Sequence, residues 1–383
     1  MNTSSLLRDK HVLAIQAAIG WCIGGLGPVL VLGARDLSVP RYQLSWLGSA
    51  FGFGLLGAGI LGQRILRRGA EPVTRIGAVL VSAGVALLAL GGNVPALVAG
   101  GLLQGAGCSA FLIATPALIG VDDRPRRLAI AVGASSIAGL LAPAAIALAD
   151  QVLSTGRIAL IAAWLWLMPV ALLRLRTQQG IGVDRPASAA CQGKMSRATW
   201  RRWWIIVLAV SAEFFFWTWG AARLVDGGAT TDQASGLAAA FAIGMALGRI
   251  IGPRSLRSLG PVQVSALLTG SAAIIVMLEL PVPTLVGALF VAGLGLAVLY
   301  PVSLARLLDE PGLPEERLIA LAALASGVAI TLAPTLLGVL DWVIAIRFAF
   351  VLVPVLERVV DFFLMLAPGD LVAVLLLPNP ITP

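Results

Sequence analysis

Glu213 stands in the middle of an apolar run, Arg202–Arg223 (RWWIIVLAVSAEFFFWTWGAAR), about ten residues from either charged end. If that run is a helix across a bilayer, 1.5 Å per residue puts the carboxylate roughly 15 Å from each edge of a core about 30 Å thick. A charge at that depth costs about 2.5–3.5 kcal/mol. Loading a proton, pairing with a cation or holding a polar solute would each offset the cost. The plainer alternative is a neutral carboxyl hydrogen-bonded to a neighbouring helix. Helical spacing places Phe216 and Trp217 at i+3 and i+4, and Gly220 at i+7, on the same face. An acid, aromatic walls and a gap suit an amphipathic organic solute, cationic ones included, held by stacking and cation–π contact. Gln16, Gln104, Ser135, Ser136, Ser326 and Thr331, with the aromatic Trp21 and Tyr300, are further candidates for the same cavity. For each of them, helix–helix packing is the competing role. Trp203, Trp204 and Trp219 read as belt residues at the membrane interfaces.

Other reactive chemistry is sparse. His11 is the only histidine, and Cys22, Cys108 and Cys191 show no CxxC spacing, so neither a metal site nor a disulfide framework is expected. The chain contains no GxxxxGK[ST], HExxH or GxSxG pattern. ATP drive and intramembrane hydrolysis are therefore set aside, and no cofactor or enzymatic activity is expected.

The elements that must position Glu213 follow from composition. Of 383 residues, 58% are hydrophobic and only 12% charged, too few charges for a soluble core of this size. The chain reads as an all-α polytopic membrane protein whose immediate partner is the lipid bilayer. The net charge of +8 sits in clusters between apolar runs, which points to membrane topology and away from nucleic acid. Arg8 and Lys10 precede an apolar run, Val12–Ala34, too long for a signal-peptide core, so an uncleaved first span is expected. Twelve spans can be placed, approximately 12–34, 43–63, 74–92, 95–119, 128–149, 157–175, 203–223, 233–252, 261–280, 283–305, 318–340 and 342–366. Of the 27 Lys and Arg, Arg35, Arg41, Arg157, Arg223 and Arg347 fall in odd-numbered loops and Arg358 near the C-terminus. All the others, Arg249 among them, are assigned to the N-terminus or the even-numbered loops, which places those in the cytoplasm.

The longest inter-span segment divides six spans from six: an N-terminal half (1–176), a basic linker (177–199) and a C-terminal half (200–383). Three patterns recur between the halves. Gly59-x4-Arg64 returns as Gly244-x4-Arg249, and Gly105-x-Gly107 as Gly293-x-Gly295. Ala134-Ser135 and Ala142-Pro143-x6-Asp150 return as Ala325-Ser326 and Ala333-Pro334-x6-Asp341. Equivalent spans run in the same direction, so the halves form two parallel six-helix repeats about an axis along the membrane normal.

Nearly the whole chain resembles the major facilitator superfamily. The loop after span two, Gly59 through Arg64 to Arg67 and Arg68, is similar to that family's cytoplasmic signature, with Gln63 where the acid is expected and Leu66 where the second glycine is. Gly101-Leu-Leu-Gln104-Gly105-Ala-Gly107 resembles its Arg-x-x-Gln-Gly-x-Gly, with Gly101 for the arginine. Gly139-Leu-Leu-Ala142-Pro143 resembles the Gly-x-x-x-Gly-Pro element found mainly in its exporters, with Ala142 for one glycine. The resemblance implies a secondary transporter in a bacterial inner membrane, working by alternating access as a monomer. Arg64, Arg67 and Arg68 would form a cytoplasmic gate, Glu213 would couple protons, and a small-molecule substrate would be exported. Proton-coupled uptake of a sugar or other polar metabolite uses the same scaffold, and a transport-inactive scaffold or sensor is the third reading.

Overall fold

A computed structural model describes residues 3–66, 69–119, 124–172, 195–255, 261–308, 310–311, 313, 315–343, 346–350, 352 and 355. Among the described residues every regular element is helical. The N-terminal elements are α1 (Thr3–Asp36), α2 (Trp46–Leu66), α3 (Ala70–Leu90), α4 (Val94–Ile119) and α5 (Arg124–Leu153). A 3-10 segment, Gly156–Ala163, then leads into α6 (Trp164–Leu172). After the linker come α7 (Arg197–Asp226), the short α8 (Thr231–Leu237), α9 (Ala239–Ser255), α10 (Pro261–Met277), α11 (Val282–Leu296), α12 (Leu299–Leu308), α13 (Glu315–Val343) and α14 (Ile346–Ala349). Seven of the described stretches are long and apolar enough to cross a membrane. The exposed apolar side chains on their flanks, such as Val79, Val152 and Trp342, have the chemistry of a surface facing acyl chains.

Helices α1, α5, α7 and α13 overrun the expected spans at both ends, because hydropathy marks only their apolar middle. α7 begins at Arg197, where the Ser196 side chain accepts a hydrogen bond from the Thr199 amide at 2.9 Å. It ends at Asp226, and Gly228 follows with φ +97°, a left-handed turn that glycine adopts without strain. Three expected spans are interrupted, and the first, span six, opens as the 3-10 segment Gly156–Ala163 before α6 begins. Span eight is split between α8 and α9. Span ten is split between α11 and α12, and there the reason is local. Pro301 has no amide hydrogen, and its ring crowds the carbonyl four residues earlier, that of Ala297, where α11 stops. The expected start of span twelve at 342 is also corrected, since Trp342 and Val343 complete α13. Most of span twelve lies outside the described residues.

Helix α1 packs on α5, and α4 packs on both α2 and α3; likewise α7 packs on α13, and α11 on both α9 and α10. The paired glycines of the repeat make these approaches possible. A Cβ on Gly105 would lie 1.9 Å from the Phe51 carbonyl oxygen of α2, and one on Gly107 would lie 2.6 Å from the Gly77 carbonyl oxygen of α3. On α11, a Cβ at Gly293 would meet the Phe241 carbonyl oxygen of α9 at 2.2 Å, and one at Gly295 the Thr269 Oγ1 of α10 at 2.4 Å. Helices α1, α2 and α5 meet α7, α13 and α8 respectively, and these contacts bring Glu213 to the seam between the two sets.

Candidate functional site

Glu213 occupies the middle turn of α7, with 14% of its side chain exposed. Trp217, one turn further on, donates its indole N–H to Glu213 Oε1 at 3.2 Å. Phe241 of α9 stands edge-on to Trp217 with ring centroids 5.3 Å apart. Helix α1 passes so close that a Cβ at Gly27 would lie 2.5 Å from the Trp217 carbonyl oxygen. Phe241 thus walls the indole beside the carboxylate, while α1 packs against the α7 backbone.

The counter-charge comes from α9. Arg249 Nη2 lies 3.8 Å from Glu213 Oε1, and Arg249 Nη1 reaches the Ser136 hydroxyl of α5 at 3.5 Å, across the seam. Sequence reasoning missed this residue. The repeat equated Arg249 with Arg64 and so placed it in a loop, but α9 continues past it to Ser255. The usable signal was that 249 falls inside the expected span 233–252, in reach of a lone acid that needs a partner.

Tyr300 completes the group. The α11–α12 break puts it in the first turn of α12, beside the Ser326 side chain of α13 and within electrostatic reach of Glu213 and Arg249. Ser326 itself donates to the Ala322 carbonyl at 3.1 Å. Glu213, Trp217, Tyr300, Ser136 and Ser326 from the expected set thus come together, joined by the unforeseen Arg249.

The other expected residues lie elsewhere. Phe216 is 2% exposed, stacked on Phe241 and tilted against Phe350, so it belongs to the core of the C-terminal set. Gly220 faces Leu289 of α11 instead of leaving a gap beside Glu213. Gln104 is buried between α4 and α3, against Gly84. Gln16 donates to Thr115 of α4 at 3.0 Å, and Trp21 packs edge-on against Trp166 at 5.4 Å. The Ser135 backbone lies against Gly20 of α1, and Thr331 packs against Gly52 of α2. Trp219 is fully buried, not a belt residue; Trp203 is also buried and donates to the Leu321 carbonyl at 2.9 Å, whereas Trp204 is exposed. Arg64 lies in the last turn of α2, and Arg67 and Arg68 lie outside the described residues.

A second polar cluster lies at the end where α1 and α7 finish. Arg35 makes a bidentate pair with Asp150 of α5 at 2.5 and 2.6 Å and reaches Thr231 of α8 at 3.1 Å. Arg157 pairs with Asp36 at 2.8 Å and donates to the Leu88 and Gly91 carbonyls, both at 3.1 Å, at the end of α3. Arg41 donates to the Ala222 carbonyl at 2.9 Å and pairs with Asp226 at 3.2 Å, both on α7. The seam is tied here by side chains of both sets.

A family model described as Major Facilitator Superfamily matches residues 12–334. The chain belongs to the major facilitator superfamily. It is thus a multi-pass integral membrane protein of a transporter family. No curated protein sequence matches it. Among solved structures, it is similar to a mutant of the nucleoside transporter NupG at 12% identity and TM-score 0.69, over 93% of this chain and 99% of that one. It is also similar to two structures of POT family transporters, each over 94% of this chain and 96% of that one. The first, in complex with a thioalcohol-conjugated peptide, matches at 11% identity with TM-score 0.75, and the second, in complex with 5-aminolevulinic acid, at 11% with TM-score 0.72. At these identities the likeness establishes the superfamily fold, so Glu213 and Arg249 face each other inside a transporter scaffold.

Proposed function

We propose that this superfamily member is a proton-coupled secondary transporter of a small amphipathic organic solute, acting as a monomer by alternating access. The carrying observation is Glu213, a mid-span carboxylate held between Trp217 and Arg249 where the two helix sets meet. The moving units are two six-helix halves, 1–176 and 200–383, joined by 177–199. The matching pairings α1–α5 with α7–α13, α2–α4 with α9–α11, and α3–α4 with α10–α11 support that layout. The Arg35–Asp150–Thr231 and Arg41–Asp226 contacts form the periplasmic closure, which opens when the site turns outward; Arg64, Arg67 and Arg68 serve the cytoplasmic side. The setting is the inner membrane, with the N-terminus in the cytoplasm.

Two directions of transport need weighing. The Gly139–Pro143 motif favours export by exchange for protons. The Glu213–Arg249 pair favours entry of solute and proton together, because a solute that occupies the guanidinium frees the carboxylate to be protonated. Flux into proteoliposomes under an imposed pH gradient tests the whole reading. Glu213→Gln keeps size and hydrogen bonding but cannot titrate. It should abolish uphill flux while sparing exchange of solute across the membrane. Unimpaired, pH-dependent uphill flux by this variant removes Glu213 as the coupling site.

A further inference from the structure

We infer that Arg249 binds the carboxylate of an organic monoanion, and that Glu213, released from the guanidinium, takes up a proton from water in the same step. The inference rests on the reading of Glu213 as the protonation site, and it selects movement of solute and proton together over exchange of one for the other. Three observations carry it. First, the pair is loose. Charge-assisted N–H···O bonds run near 2.7–2.9 Å, whereas among the described residues the Arg249 contacts are 3.8 Å to Glu213 and 3.5 Å to Ser136. A guanidinium has five N–H donors in a planar fork that matches a carboxylate. With 36% of its side chain exposed, Arg249 has room for such a partner.

Second, the two members of the pair are not equivalent when parted. A cationic solute that took Glu213 would leave a guanidinium without its counter-charge inside an apolar helix, and arginine stays protonated in proteins. An anionic solute that took Arg249 would leave a carboxylate, and a carboxylate can be neutralised by a proton. Only the second exchange ends with a neutral site. The anion is thus favoured over the cationic solute that the sequence allowed.

Third, among the described residues the surroundings add no further formal charge. Tyr300 from α12 is the other titratable group facing the pair, beside Ser326. The cation that acts on Glu213 is Arg249. One cation suits a single negative charge better than a phosphate ester carrying about −1.5 to −2. The Trp217 and Tyr300 rings offer walls to an apolar body behind the carboxylate.

The test uses the purified full chain in lipid nanodiscs. Benzoate and indole-3-acetate are compared with benzamide, indole-3-acetamide and tryptamine, with the shift in melting temperature as the readout of binding. The carboxylates should stabilise the wild type and the amides and the amine should not. Apparent carboxylate affinity should rise about tenfold for each unit fall in pH over the range where Glu213 takes up its proton. Arg249→Lys should weaken carboxylate binding roughly 30-fold or more. Glu213→Gln should bind carboxylates but lose the pH slope. Amides or the amine binding as well as carboxylates, no carboxylate in the panel binding the wild type, or Arg249→Lys binding like wild type would each overturn the inference. The wild-type comparison needs no variant to fold. Carboxylate binding of the expected pattern without pH-driven flux would sink the transport reading and leave this one standing. Flux without Arg249-dependent carboxylate binding would do the reverse.

Discussion

Several arginines that a charge tally assigns to loops are buried side chains that finish other helices. Arg223 donates to the Val276 and Leu278 carbonyls at the end of α10, at 2.7 and 2.9 Å. Arg157 does the same for α3 while paired with Asp36. The last carbonyls of a helix have no intrahelical partner, and a guanidinium supplies both hydrogen bonds and charge of the right sign. Arg157→Gln should therefore lower stability by roughly 3 kcal/mol, the scale for breaking a largely buried pair. The check is the melting temperature of the purified variant; a value equal to wild type would mean the α3 carbonyls find other partners. At this scale the sequence was half legible. Glu213 stood out because a mid-span acid conflicts with its apolar neighbours. Arg249 did not, because counting Lys and Arg treats every one near a span end alike. Phe216 and Trp217 shared an expected face, yet consecutive residues diverge by about 100° around a helix. Phe216 turns into the core and Trp217 stays beside the acid.

At the scale of elements, helix distance is governed by which glycines face a neighbour's backbone. A Cβ on Gly105 would lie only 1.9 Å from a carbonyl oxygen and could not fit unmoved, while one on Gly57 or Gly133 would have nothing within 4 Å. Gly105→Ala should force α4 off α2 and cost about 1–3 kcal/mol, as overpacking does. Gly57→Ala and Gly133→Ala should leave melting unchanged or slightly raised. Equal melting of all three variants would show that the α2–α4 contact yields without cost. The Gly-x-Gly repeat was visible in the sequence, and its packing role follows from there being no side chain. Helix ends and breaks were less visible. Hydropathy does not register polar caps such as Ser196, and a proline tolerated within one membrane helix interrupts another. Pro143 lies within a continuous α5, whereas Pro301 lies in the first turn of α12, just past a break.

For the molecule as a whole, composition was enough to reach an all-helical membrane protein, because a chain this apolar must satisfy its backbone polar groups internally, whereas the superfamily was reached through the three motifs on spans two, four and five. Orientation rests on charge asymmetry alone. In membrane-impermeant labelling of intact cells, Asn93→Cys should react from outside, and Arg126→Cys only once the cytoplasm is opened. The opposite pattern inverts the assignment of Arg35, Asp150 and Arg41 to the periplasmic closure. The proposed closure was not legible in the sequence, where Asp150 figured only as one half of a repeat. In the structure Arg35, far away in the chain, occupies both of its oxygens.

The loose pairing of Glu213 with Arg249 also bears on bioenergetics. On the loading scheme proposed above, the empty carrier holds one negative and one positive group. The loaded carrier holds a neutral acid, a guanidinium and an anion. Both sum to zero, so the turnover that moves solute and proton is electroneutral. A membrane voltage, worth about 2.3 kcal/mol per elementary charge per 100 mV, then does no work on the cycle. Accumulation follows the pH difference alone, and a cell that maintains voltage but little pH difference would gain nothing from this carrier.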